Sequence, residues 1–90
     1  MAAKRFIVKG RVQGVGFRYF TVRAAQRAGV VGRVRNLGDG SVEAIAEGEP
    51  SALREFLLEL WRGPSYSRVT AVDEQDLAPT GRYTDFAVDY

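Results

Sequence analysis

Two side chains that enzymes rely on heavily are missing from this sequence, which has no histidine and no cysteine. Without cysteine there are no disulfides, thiolate nucleophiles or thiolate metal ligands. Without histidine the commonest general base and the commonest transition-metal ligand are gone too. An enzyme built from this chain works without imidazole, thiol or zinc, so neither a metal nor a cofactor is expected. No apolar run is long enough for a signal peptide or a membrane helix, which predicts a cytoplasmic protein with no membrane partner. Repeats and low-complexity segments are absent as well.

What is present suits one small globular domain, residues 1–90, with no room for a second core. Apolar residues make up 46% and charged residues 27%, a balance that can bury a core and argues against disorder. The net charge of +2 hides an uneven distribution. Residues 1–36 hold nine basic side chains and no acid, whereas residues 37–90 hold four arginines and all eleven acids, giving +9 and −7. Such a partition either surrounds something anionic or arises because the two parts interleave in one sheet and pair their charges across strands. Cross-strand pairing is expected for these residues, with Arg18 as the exception.

Periodicity gives the order of elements. Arg5–Val12 alternates with Phe6, Val8 and Val12 on one face, as in a strand. From Phe17 the spacing turns helical, with Phe17, Phe20, Ala24, Ala25 and Ala28 on one side and Gly29 as the stop. A strand over Val30–Asn36 leads through Leu37-Gly38-Asp39-Gly40 into another over Ser41–Glu47, since Asp-Gly between alternating segments signals a hairpin. Val42, Ile45 and the alanines are expected on the buried side of that strand.

Pro50 opens a second helix on which Leu53, Phe56, Leu57, Leu60 and Trp61 fall at i, i+3, i+4, i+7 and i+8, and Gly63-Pro64 ends it. That spacing puts Trp61 in the core. Two further strands follow, near Ser67–Asp73 and Thr84–Asp89. The order β-α-β-β-α-β predicts an α+β, ferredoxin-like sandwich. It has an antiparallel sheet, two helices on one face and a short extra C-terminal strand. Many activities share that fold, so the fold alone names none.

The informative stretch is Gly10-Arg11-Val12-Gln13-Gly14-Val15-Gly16-Phe17-Arg18. A strand ends, glycines remove side chains and a helix begins. Backbone N–H groups in such a loop can converge on an anion, helped by the positive end of the helix dipole. Arg18 stands near that helix start, where a cation is normally disfavoured. A bound anion reverses the penalty, and a guanidinium fork matches phosphate oxygens. Glycine-rich strand–helix loops are also common as plain tight turns. No Gly-Lys-Ser or Gly-Lys-Thr follows and the three-glycine dinucleotide spacing is missing, so the loop is sized for one phosphoryl group. Asn36 taken by itself reads as a turn residue. Its interest is topological, because its strand can share a sheet with the strand that carries the loop.

The run from Gly10 to Arg18, followed by Gly29-Val30-Val31-Gly32-Arg33-Val34-Arg35-Asn36 and Asp39-Gly40-Ser41-Val42-Glu43, closely resembles the acylphosphatase family. The resemblance extends over essentially the whole chain. It implies an enzyme that hydrolyses acyl phosphates to carboxylate and inorganic phosphate by in-line attack of a positioned water. In that family an arginine holds the substrate phosphate and an asparagine positions the water, roles that fall on Arg18 and Asn36. The phosphate-binding residues are then Gln13, Gly14, Val15, Gly16, Phe17 and Arg18. One departure is Arg33, where family members often carry tryptophan. The implied partners are a small anionic acyl phosphate and inorganic phosphate or similar anions as product or inhibitor, with no nucleic acid and a monomeric state.

Such chemistry suits a chain without histidine. The leaving group is a carboxylate that needs no protonation, so positioning and electrostatics suffice. Two rivals share the fold. An RNA-recognition module would display aromatics on its central strands, but Ser41–Glu47 has none and carries two acids. The other is a phosphate- or carbamoyl-phosphate-binding module with little hydrolase activity.

Overall fold

The computed structural model describes all 90 residues. Its elements are β1 (Ala2–Arg11), α1 (Phe17–Ala28), β2 (Val31–Asn36), β3 (Val42–Gly48), α2 (Pro50–Arg62), β4 (Arg68–Leu77) and β5 (Phe86–Val88). The five strands form one sheet in the order β4-β1-β3-β2-β5. β1 pairs antiparallel with β3 and β4, and β2 antiparallel with β3. The sheet is nevertheless mixed, because β5 runs parallel to β2. The wholly antiparallel sheet expected from the sequence is corrected on that point. The reason is topological: α2, β4 and the loop after β4 carry the chain across the sheet before β5 forms, so β5 joins the far edge in the direction of β2.

Register decides which face is buried. Phe6 and Val8 on β1 lie opposite Ala44 and Val42 on β3, and Val34 on β2 lies opposite Ala44. These side chains share one face, together with Ala46 and Phe86, and form one buried cluster with Phe17, Ala24 and Ala25 of α1 and Leu53, Phe56 and Leu60 of α2. Both helices therefore cover the same face. At the centre, the Phe56 ring lies 5.7 Å from Phe6 and 5.5 Å from Phe86, both at steep interplanar angles that aromatic pairs favour.

Two expectations, for Ile45 and Trp61, are corrected. Ile45 is only half-buried, because alternation sends it to the opposite face from Val42, Ala44 and Ala46. Trp61 is 45% exposed and so lies outside the core. At about 100° per residue it falls about 80° from Leu53 on α2, beyond the narrower stripe that Leu53, Phe56 and Leu60 bury. Thr21 is fully buried although polar, its Oγ1 donating to the Phe17 carbonyl at 2.8 Å. A hydroxyl satisfied within its own helix can sit in a core at little cost.

Ion pairs run across the sheet and between the helices. Lys4, Arg5, Lys9, Arg27, Arg33 and Arg35, six of the nine early basic residues, each bond a carboxylate from residues 37–90. Interleaving of the two parts of the chain explains the charge partition. Arg18 makes no ion pair.

Candidate active site

The loop between β1 and α1 turns on two glycines in left-handed conformation, Gly14 (φ 75°) and Gly16 (φ 78°). A side chain is strained there, and a glycine leaves the backbone open to a ligand. Gly16 caps α1 without any side-chain hydrogen bond, and the first turn of α1 holds no acid. The first N–H groups of the helix thus lack the usual protein acceptor. Other side chains of the loop point away and hold it from behind. Phe17 is buried in the core, and Val15 packs against it. Gln13 donates through Nε2 to the carbonyls of Leu37 at 2.8 Å and Ser41 at 2.9 Å, which fastens the loop to the turn between β2 and β3.

That fastening places the loop beside Asn36. Arg18 and Asn36, eighteen residues apart in sequence, line the same depression. One lobe, of about 220 Å³, is walled by Val12, Gly14, Gly16, Phe17, Tyr19 and Val88. The adjoining lobe, of about 390 Å³, is polar and is walled by Arg35, Asp89 and Tyr90. The two lobes share Arg18, Asn36 and Tyr90. Of the residues singled out in the sequence, Gly14, Gly16, Phe17, Arg18 and Asn36 meet in this depression, whereas Gln13 and Val15 lie behind it.

The depression exists because β5 is short. It pairs with β2 no further than Val34, where the Asp89 N–H donates to the Val34 carbonyl at 2.8 Å. Arg35 and Asn36 extend past that edge. Asp89 and Tyr90 flank the site, and the Arg18 guanidinium stands 5.3 Å from the centre of the Tyr90 ring, which is itself 97% exposed. Such an exposed cation–π contact is weak and leaves the hydrogen-bond donors of the arginine free. Tyr90, Asp89 and Arg35 are site residues that the sequence reading missed. Arg35 stands in the quoted run beside Asn36 but was given no role, whereas no motif marks Asp89 and Tyr90, which the parallel register of β5 on β2 brings to the site.

Two buried carboxylates organise the surroundings. Glu43 is 4% exposed and lies between Arg5 Nε at 2.6 Å and Arg35 Nε at 2.7 Å. Burial by itself pushes its pKa up, but the two guanidinium bonds prevail and hold it below the ordinary carboxylate value. Glu47 is 2% exposed and accepts from the Thr80 N–H and hydroxyl and from the Gly81 N–H. Burial opposes ionisation here too, and these bonds outweigh it, so its pKa is also lowered. Arg33, the departure noted in the sequence, bonds Asp89 Oδ2 at 2.7 Å and so ties the C-terminal residues to β2. No three acidic side chains converge on a position that could hold a metal ion. A groove between the two helices shares no residue with this site, and within it Glu59 bonds both Arg27 and Arg62.

Comparison with known proteins gives the same direction. Residues 4–88 match the acylphosphatase family model. The chain is 49% identical to an acylphosphatase of Pasteurella multocida over the full length of both. It is 50% identical to one of Thermotoga petrophila, covering all of this chain and 99% of that one. The crystal structure of acylphosphatase from Bacillus subtilis superimposes with a TM-score of 0.96 at 39% identity, over all of both chains. Identity of this extent over the whole length, together with the shared fold, shows that the chain belongs to the acylphosphatase family.

Proposed function

We propose that this acylphosphatase hydrolyses acyl phosphates with Arg18 and the backbone of the Gln13–Phe17 loop holding the phosphoryl group, and with Asn36 aiming the water. The observation that carries these roles is the meeting of Arg18, which has no carboxylate partner, with Asn36 and the glycine loop at one depression. The relatives that carry the hydrolase name align along their whole length, which disfavours the binding-module alternative.

The step is a single displacement. The water oxygen forms a bond to phosphorus while the bond from phosphorus to the acyl oxygen breaks, and its electron pair leaves with the carboxylate. Loop N–H groups and the Arg18 fork offset the charge on the phosphoryl oxygens. The Asn36 amide orients the water but is no base at neutral pH. The water's proton therefore passes to an oxygen of the phosphate being released. No group with a tuned pKa is required, in keeping with a chain that has no histidine. The catalyst is proposed to work in the cytoplasm as a monomer, without a metal and without nucleic acid.

Phosphate release from benzoyl phosphate and from p-nitrophenyl phosphate, with EDTA present, tests this directly. Much faster turnover of the first substrate is expected, because benzoate is a far less basic leaving group than p-nitrophenolate. Equal turnover of both, or loss of activity in EDTA, would contradict the mechanism.

A further inference from the structure

We infer that Arg35 forms a second anion subsite, which makes the enzyme selective for acyl phosphates whose acyl part carries a carboxylate or another anionic group. This deepens the proposed function and rests on it.

The depression has two lobes of different character. The lobe with Gly14, Gly16 and Phe17 holds the backbone donors suited to the phosphoryl group. With phosphate there, the acyl part of a substrate extends toward the other lobe, past Arg18 and Asn36. That lobe is lined by Arg35, Asp89 and Tyr90 and offers more polar than apolar surface. A hydrocarbon acyl group would leave the free donors of Arg35 without a partner.

The charges in this lobe are arranged unequally. Asp89 is already engaged by Arg33 at 2.7 Å. Arg35 is bound only through Nε, to the buried Glu43 at 2.7 Å, and neither of its Nη groups has a protein partner. Glu43 also holds Arg5, so it anchors Arg35 on one side without occupying the outer half of its fork. A guanidinium fixed in this way has lost its conformational freedom before ligand arrives and presents two donors to a planar anion. Arg18, which lines the same lobe, is committed to phosphate. The site thus offers two cations to a substrate with two anionic ends.

Benzoyl phosphates provide a rigid ruler for the test. kcat/KM would be measured for 3- and 4-carboxybenzoyl phosphate and for their neutral carbamoyl isosteres, in wild type, Arg35→Gln and Arg35→Lys. Wild type is expected to favour at least one carboxylated substrate over its isostere by about tenfold or more, the scale of a charge-assisted hydrogen bond. The preference should shrink as salt is raised from low ionic strength. It should fall to about parity in Arg35→Gln and survive in part in Arg35→Lys. The wild-type ratio and its salt dependence need no variant, so an unstable Arg35→Gln leaves the test intact. Equal rates on charged and neutral substrates in wild type, or the same preference in Arg35→Gln, would overturn the subsite while leaving the hydrolase in place. Hydrolysis of none of the four would overturn the activity and the subsite together.

Discussion

Arg18 is held in place by weak forces, and this separates its effect on activity from its effect on stability. A cation in the first turn of a helix costs about 0.3–1 kcal/mol. The contact with the Tyr90 ring returns little, because that ring is 97% exposed. Arg18→Ala is therefore expected to change unfolding free energy by no more than about 1 kcal/mol in phosphate-free buffer, and toward greater stability. The same substitution should reduce kcat/KM at least roughly 100-fold, as for other groups that stabilise developing charge. Urea unfolding alongside benzoyl phosphate kinetics checks both halves. A large loss of stability would mean that Arg18 is structural. At this scale the sequence was legible where chemistry leaves a mark, as in a cation placed against a helix dipole behind two glycines. It was silent on Asp89 and Tyr90, whose placement follows from the register of a three-residue strand, and it gave no role to Arg35 beside Asn36. It also misplaced Trp61, because helical spacing identifies a stripe but not how wide the sheet beneath it is.

Among the elements, the β1–α1 loop and the β2–β3 turn work as a unit because Gln13 bridges them. The two carbonyls it bonds also accept N–H groups within the turn, Leu37 O from Gly40 and Ser41 O from Leu37. Losing the side-chain amide leaves neither carbonyl orphaned. Gln13→Leu should accordingly cost only about 1–2 kcal/mol of stability. Its larger effect should be on kcat, lowered about tenfold, since small misplacements of reacting groups are expensive. An unchanged kcat in folded protein would show that the loop keeps its place without the strut. The helices and the hairpin were readable from periodicity and turn residues, and α1 and α2 begin at Phe17 and Pro50 as expected. The ends of the later strands were not. β4 extends to Leu77 on an exposed edge, where cross-strand partners on β1 and not an apolar pattern sustain it. β5 shortens to Phe86–Val88 because β2 pairs with it over only three residues.

For the whole molecule, the uneven charge distribution serves the sheet. Most of the ion pairs are exposed and each contributes less than about 1 kcal/mol. Glu43 and Glu47 differ because they are buried. Glu47 fastens the loop at Thr80 and Gly81, which leads into β5 and so to the residues that flank Arg18. Both carboxylates have folded pKa values below their ordinary 4.5. Their contribution is thus present above that value and is lost as pH falls through the lowered folded values, where the native state must take up protons. Stability should be flat at neutral pH and decline in acid, and Glu47→Gln should lower Tm at pH 7 by about 5 °C or more while weakening the acid dependence. Thermal unfolding between pH 7 and pH 3 measures it. The same acid slope in Glu47→Gln and wild type would remove Glu47 from this role.

The central claim is a division of labour between Arg18 and Asn36, and the inhibition constant of inorganic phosphate, measured together with kcat, tests it most directly. The expected result is that Arg18→Ala weakens phosphate inhibition and activity together, while Asn36→Ala lowers kcat sharply and leaves the inhibition constant within about a factor of two, a difference below roughly 0.5 kcal/mol. Comparable loss of phosphate binding in both variants would contradict the account, because it would place Asn36 on the phosphate and leave the attacking water without a guide.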